Sequence, residues 1–383
     1  MRIIGADKTF DVDVNLVGSK SESNRALMIS YYGGFAPLIK NLSESDDTKL
    51  LKEILDTFPE TIDCQNAGTV FRFLLTALSL RDGHYILTGS ERMLERPVGD
   101  LVDALRSIGA DIEYLGQEGY PPLRVNGRDL KIDNVSVDIT KSSQFASSLL
   151  LAMPKSLHLE GDMSSLPYID MTIDMMRKFG VDVHREGRDI LVQQSEYQDV
   201  GYTVESDWTS ASYWFEIVAF SENGRARLRN LHLDSKQGDA IVAKWFESFG
   251  VKAVQDGDDI IIEKKYPVCL DNLSFDFINN PDLYPTIAAT CAGLGVKADF
   301  TGLRNLIHKE SDRVAAMTTE LSKIPLVQTC HGASLPNFDS HGDHRIAMAL
   351  APLAMKIGAI EINNAEVVSK SYPKFWKEFE GIL

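Results

Sequence analysis

The sequence predicts an α/β or α+β chain made of six repeated units, and three observations carry that expectation. An amphipathic helical segment ending in an aromatic or aliphatic residue, then Gly, then a short strand, occurs three times in clear form. The copies are Leu105-Arg106-Ser107-Ile108-Gly109-Ala110-Asp111, Met176-Arg177-Lys178-Phe179-Gly180-Val181-Asp182 and Phe246-Glu247-Ser248-Phe249-Gly250-Val251-Lys252. Their glycines stand 71 and 70 residues apart, a period that marks a repeated supersecondary unit. Each Gly falls where a helix C-terminus takes a left-handed residue. Strand-like runs such as Tyr85-Ile86-Leu87, Ile190-Leu191-Val192 and Ile260-Ile261-Ile262 alternate with the helical segments, and Gly83, Gly187 and Gly257 are expected to turn hairpins before them. Finally, 383 residues exceed one ordinary core, so the six units divide into two domains of three.

Weaker copies end at Phe58, at Ile324 and at Phe379-Glu380-Gly381, with remaining intervals of 51, 74 and 57 residues. Two repeats are therefore short, and in both a proline, Pro59 or Pro325, follows where the others have Gly. The sequence leaves open whether two hairpins are truncated or residues are missing from the chain.

With 44% hydrophobic and 25% charged residues the chain reads as soluble and globular. It has no membrane-length apolar run, and Met1 to Asp7 is not a secretory signal, so a cytoplasmic location is expected. Cys64, Cys269, Cys291 and Cys330 form no CxxC pair, which points to reduced thiols rather than a disulfide framework or a zinc knuckle. A net charge of −16 argues against nucleic acid or an anionic membrane as partner. If the substrate is anionic, cations must be gathered locally against the overall field.

Such a gathering occurs at Gly18-Ser19-Lys20-Ser21-Glu22-Ser23-Asn24-Arg25-Ala26, a loop feeding a helix start. Unpaired backbone N–H groups and the positive end of the helix dipole would favour phosphate or carboxylate there. The stretch is not a P-loop, because Ser19 and Val14 stand where that pattern needs glycines. By itself it fits an anion loop or an ordinary Ser-capped surface helix. Asn66-Ala67-Gly68-Thr69, followed by Phe71-Arg72, resembles a second cradle. Arg96 precedes Pro97, which suits a helix's first turn. Ser142-Ser143-Gln144 opens the apolar run to Met153, as N-cap or ligand contact. Lys309-Glu310-Ser311-Asp312-Arg313 alternates sign ahead of a helix. His341-Gly342-Asp343-His344-Arg345 could suggest metal ligands but lacks a third and fourth partner.

Taken together and in order, these motifs resemble the 5-enolpyruvylshikimate-3-phosphate synthase family of enolpyruvyl transferases, from Gly18 to Lys370. The resemblance implies a two-domain fold of six βαβαββ repeats, three per domain, closing over the substrates. One domain would comprise 1–18 with 206–383, the other 19–205. It implies transfer of the enolpyruvyl group of phosphoenolpyruvate to the 5-hydroxyl of shikimate 3-phosphate with release of phosphate. Shikimate 3-phosphate would be held by Ser21, Arg25, Ser142, Ser143, Ser165, Tyr168, Asp282, Asn305 and Lys309. Phosphoenolpyruvate would be held by Lys20, Gly68, Arg96, Gln144, Arg313, Arg345 and Lys370, with Arg313 and Arg345 on its carboxylate and Lys20, Arg96 and Lys370 on its phosphate. Asp282 matches the base for the sugar hydroxyl, Glu310 the carboxylate that exchanges a proton with the methylene carbon, and Lys20 a further proton donor. No metal or organic cofactor is implied, the partners are small anions, and monomer is the family's default.

The chain departs from the family at Val17, Gln65, Phe73 and Ile307. Phe73, where Pro commonly follows the Arg72 position, is expected to alter the Gly68 loop and with it affinity for phosphoenolpyruvate or for glyphosate, the family's competitive inhibitor. The sister transferase acting on UDP-N-acetylglucosamine is the nearest alternative, but it carries Lys-Asn where this chain has Lys20-Ser21, and a mobile-loop Cys that the region Glu91 to Pro122 lacks. The other alternative is a catalytically inactive anion-binding relative.

Overall fold

Gly109, Gly180 and Gly250 have φ of 96°, 86° and 84°, the left-handed conformation that lets a helix turn directly into a strand. Gly187 and Gly257, at φ 59° and 64°, sit in hairpin turns. Gly83 does not: it opens the strand Gly83–Thr88, which follows a helix, and the hairpin of that repeat joins Asp111–Tyr114 to Leu123–Gly127. Gly83 is held as a glycine by its backbone, whose φ of 145° is one that side chains rarely adopt, and an added Cβ would also meet the Tyr85 hydroxyl at 2.5 Å.

The computed structural model describes residues 1–3, 8–36, 38–193, 195–268, 273–324 and 335–382. The chain forms two units, Lys20–Val204 and Met1–Ser19 with Glu205–Leu383. The two segments linking them are hydrogen-bonded to each other, Ser19 N–H to Glu205 O at 2.8 Å and Asp207 N–H to Val17 O at 2.9 Å.

Lys20–Val204 holds two complete βαβαββ repeats. One sheet runs Thr61–Asp63, Gly83–Thr88, Leu123–Gly127, Asp111–Tyr114, its first pair parallel and the rest antiparallel. The second orders Asn134–Asp138, Ser156–Glu160, Asp189–Val192 and Val183–Glu186 in the same way. The third repeat keeps only Ile39–Lys40 paired with Tyr202–Thr203. After its helix Asp46–Thr57, Phe58 takes the left-handed cap at φ 42° and the chain enters the strand Thr61–Asp63 with no hairpin between. The other unit has one complete sheet, Thr9–Val14, Asn223–Leu228, Asp259–Lys264 and Val251–Asp256. Leu273–Asp276 pairs with Ala298–Thr301, and Asn337–Asp339 with Ile360–Asn363, which Arg2–Ile3 extends from the other chain end. Pro325 and Cys330, with Cys269, lie outside the described residues. Among the described residues no helix is long and apolar enough to cross a membrane.

One helix from each repeat is buried on nearly every side and packs against its counterparts at the centre of its unit. These are Lys20–Gly33, Gly68–Ser79 and Gln144–Leu151 in one unit, and Trp208–Phe220, Tyr284–Leu294 and His344–Leu350 in the other. Every residue of Trp208–Phe220 is buried, including Glu216. Among the described residues neither Glu216 carboxyl oxygen has a hydrogen-bond partner, and burial alone pushes this acid well above its ordinary 4.5.

The folded chain therefore keeps a proton on Glu216 that the unfolded chain loses above pH 4.5. Stability is intact below that pH and falls as pH rises, by about 1.4 kcal/mol per pH unit until the folded carboxyl ionises. Glu216→Gln, neutral at every pH, should melt above the wild type by a margin that widens from pH 5 to pH 8. An equal margin at both pH values contradicts a buried neutral acid.

Candidate active site

The helix that begins at Lys20 is not a capped surface helix. Its first two turns, Glu22 to Ile29, are buried, and the polar groups among them are matched from neighbouring segments. Glu22 accepts from the Tyr202 hydroxyl at 2.9 Å, Ser23 Oγ from Ser43 N–H at 2.9 Å and Asn24 Oδ1 from Thr48 Oγ1 at 2.8 Å. Lys20 Nζ reaches Asp47 at 3.1 Å. Arg25, only 2% exposed, donates from Nε to Thr172 Oγ1 at 2.7 Å, from Nη1 to Ser21 O at 2.9 Å, and from Nη2 to Ser147 Oγ and Tyr168 O at 3.0 Å each. Burial pushes this guanidinium down to about 10, against the charges of Tyr168 and Glu22. Phe73 lies fully buried beneath it, with Arg25 Cζ 5.6 Å from the ring centre, so the unusual residue meets the Arg25 cluster.

The helix starts at Gly68, Gln144 and Leu166 in this unit lack a side-chain cap. Ser143 is the N-cap of the second yet makes no cap hydrogen bond, and Ser142 Oγ accepts from Gln144 N–H at 3.2 Å. Ser165 precedes the third at φ 54°, a conformation disfavoured for a non-glycine residue and met where surroundings impose it. Arg96, 4% exposed, donates to Asn66 O at 3.3 Å. It does not lead into a helix's first turn, since Pro97 precedes the N-cap Val98 of Gly99–Ser107. Ser21, Arg25 and Tyr168 thus form one connected set, with Lys20 next in the chain and paired with Asp47, while Gly68 and Arg96 lie in direct contact.

In the other unit the network centres on Arg313, the first residue of Arg313–Leu321 and 1% exposed. Its Nη1 donates to Asp282 at 2.6 Å, Nη2 to Glu310 at 2.9 Å and Nε to Asp343 at 2.8 Å. Arg345 Nη2 donates to the second Asp282 oxygen at 2.9 Å, and Lys309 Nζ stands 3.4 Å from the first. Burial pushes the Asp282 carboxyl up, but Arg345, Lys309 and Arg313 outweigh it and hold the group well below the usual carboxylate range. Lys309 is lowered, because burial there outweighs the attraction of Asp282. Arg313 is raised: Asp343, Asp282 and Glu310 overcome the cost of its burial. Asn305 lies on the 3-10 turn Arg304–His308 just before Lys309, and Lys370 ends the 3-10 segment Ala365–Lys370.

Two carboxylates escaped the sequence reading. Asp343 caps its own helix through Arg345 N–H at 3.0 Å while accepting from Arg313. An Asp directly before an apolar run was the available signal, hidden by the flanking histidines. Of these, His341 Nε2 lies 2.9 Å from Glu320. Asp239 accepts from Thr209 Oγ1 at 2.5 Å and Asn280 Nδ2 at 3.3 Å. Burial first, then the charge of Asp282, pushes it up to about 6. No motif marked it.

A Cβ added at Gly68 would fall 2.7 Å from Cζ and both terminal nitrogens of Arg96. The far end of that side chain can move, so Gly68→Ala should leave the melting temperature nearly unchanged. If Arg96 holds phosphoenolpyruvate as the resemblance implies, the variant's affinity for it by calorimetry should fall about tenfold, the scale of one displaced charged hydrogen bond. Unchanged affinity would remove Arg96 from the anion's contacts.

Residues 57–379 match the family described as EPSP synthase (3-phosphoshikimate 1-carboxyvinyltransferase). The chain is 38% identical over 395 residues to the 3-phosphoshikimate 1-carboxyvinyltransferase of Bacteroides fragilis strain YCH46, covering 98% of this chain and 96% of that one. It is 37% identical over 421 residues to the enzyme of the same name from Sulfurovum sp. strain NBC37-1, covering 97% and 96%. Its fold resembles EPSP synthase from Acinetobacter baumannii with a TM-score of 0.75 at 22% identity, over 100% of this chain and 97% of that one. The chain belongs to the EPSP synthase family.

Proposed function

We propose that the chain transfers the enolpyruvyl group of phosphoenolpyruvate to the 5-hydroxyl of shikimate 3-phosphate, releasing phosphate. The observation that carries this reading is that Asp282 and Glu310 share one guanidinium but not one environment. Arg313 joins them at 2.6 and 2.9 Å; Lys309 bears on both, and Arg345 donates to Asp282 besides, at 2.9 Å. Two carboxylates so distinguished can hold opposite protonation states, which acid and base roles require.

In this reading Asp282 accepts the proton of the 5-hydroxyl as its oxygen attacks C2 of phosphoenolpyruvate. Glu310 delivers a proton to the methylene carbon, with Lys20 as further donor, giving a tetrahedral intermediate. Glu310 then takes a proton back from the new methyl group as the C–O bond to phosphate breaks, so the double bond re-forms, and phosphate departs with a proton equivalent to the one Asp282 took from the hydroxyl, which restores both carboxylates. Ser21, Arg25, Ser142, Ser143, Ser165, Tyr168, Asn305 and Lys309 hold shikimate 3-phosphate. Lys20, Gly68, Arg96, Gln144 and Lys370 serve phosphoenolpyruvate, with Arg313 and Arg345 on its carboxylate as planar donors. We take the protein to work in the cytoplasm as a monomer, the default of the family.

Incubation with both substrates should release phosphate, and no release above background at saturating substrate sinks the activity. Glu310→Gln should lower turnover by at least about a hundredfold while calorimetry shows shikimate 3-phosphate still bound. Loss of that binding would make Glu310 structural.

A further inference from the structure

Gly68, Arg96 and Gln144, assigned above to phosphoenolpyruvate, stand on three separate pieces of chain. Arg72 links all three. It sits one turn into Gly68–Ser79, on the same face as Gly68 and Thr69 by helical spacing, and is 3% exposed. Its Nη1 donates to Gln144 Oε1 at 2.7 Å, and its Nη2 to the carbonyl of Pro97, next to Arg96, at 3.2 Å. The guanidinium lies over the Phe145 ring, Cζ 5.3 Å from its centre. The other end of the Gln144 amide is fixed too, with Nε2 donating to Thr69 Oγ1 at 2.9 Å.

A glutamine amide can turn over at little cost unless its oxygen and nitrogen have unlike partners. Here Arg72 can only donate and so claims the oxygen, while Thr69 accepts from the nitrogen. The second Nε2 hydrogen then has one direction. The same guanidinium also donates to the Pro97 carbonyl. Lysine cannot replace it, because a single ammonium does not span both acceptors as a planar fork or stack on Phe145 in that pose.

We propose that Arg72 is a positioning residue for phosphoenolpyruvate, setting the amide orientation of Gln144. The proposal rests on the activity proposed above, and it requires that Arg72 act through Gln144 rather than on ligand.

Phosphate release by Arg72→Lys, Gln144→Ala and the double variant, with each substrate varied at saturation of the other, tests this. Turnover by the wild type is the control on the activity, and its absence overturns both readings. With turnover present, Arg72→Lys should raise KM for phosphoenolpyruvate about tenfold or more, and leave KM for shikimate 3-phosphate within about twofold. Placed on Gln144→Ala, it should add less than about twofold, because the group it positions is gone. Thr69→Val frees the amide from its other side without touching a buried charge, so it should raise the same KM in the wild type and not on Gln144→Ala. It serves where Arg72→Lys fails to fold. Equal rises in both KM values, or effects that multiply with Gln144→Ala, overturn the proposal.

Discussion

Cations buried at helix N-termini are the constraint on which the candidate site depends. Arg313 is the first residue of its helix, Arg345 the second of His344–Leu350, and Lys20 the first of Lys20–Gly33. A helix N-terminus carries partial positive charge, so acidic residues are the stabilising choice there and basic ones oppose the dipole. Burial adds a desolvation cost that is several kcal/mol per ion before compensation. The compensation is visible in each case: Asp47 on Lys20, Asp282 on Arg345, and Asp282, Glu310 and Asp343 on Arg313. Arg25 is held differently, by hydroxyls and carbonyls, and its guanidinium is accordingly lowered by burial.

That arrangement reconciles a chain of net charge −16 with anionic substrates. The carboxylates make the folded cations tolerable, and two of them, Asp282 and Glu310, are also the groups given the proton-transfer work. Positive charge and acid–base chemistry are thus supplied by one network. Lys20 and Arg345 stand at the starts of helices that are buried on nearly every side at the centre of their own units, which leaves those starts little freedom.

The repeat was legible because a helix C-terminus that turns straight into a strand favours a left-handed residue, and Gly109, Gly180 and Gly250 meet that need. It was less legible where another residue took the same conformation, as Phe58 does, or where a positive-φ glycine opens a strand after a helix rather than turning a hairpin, as Gly83 does. The stretch from Lys20 to Arg25 gave an ambiguous signal: it reads as an anion loop or a Ser-capped surface helix, and the burial of Glu22 to Ile29 removes the second. Arg72 and Asp239 gave no such signal. Their roles arise from partners 25 to 72 residues away for Arg72 and 30 to 41 for Asp239, and no local pattern encodes that distance. Asp343 was hidden differently, by two histidines that suggested a metal.

A crystal structure with shikimate 3-phosphate and phosphoenolpyruvate bound tests the central claim, that the helix-start cations are held by acids so that they can serve the substrates. The account predicts the sugar phosphate on Ser21 and Arg25, and the phosphoenolpyruvate carboxylate on Arg313 and Arg345 with Asp282 beside the 5-hydroxyl. Substrates bound elsewhere, with Arg313 contacting only Asp282, Glu310 and Asp343, would make the network structural and contradict it.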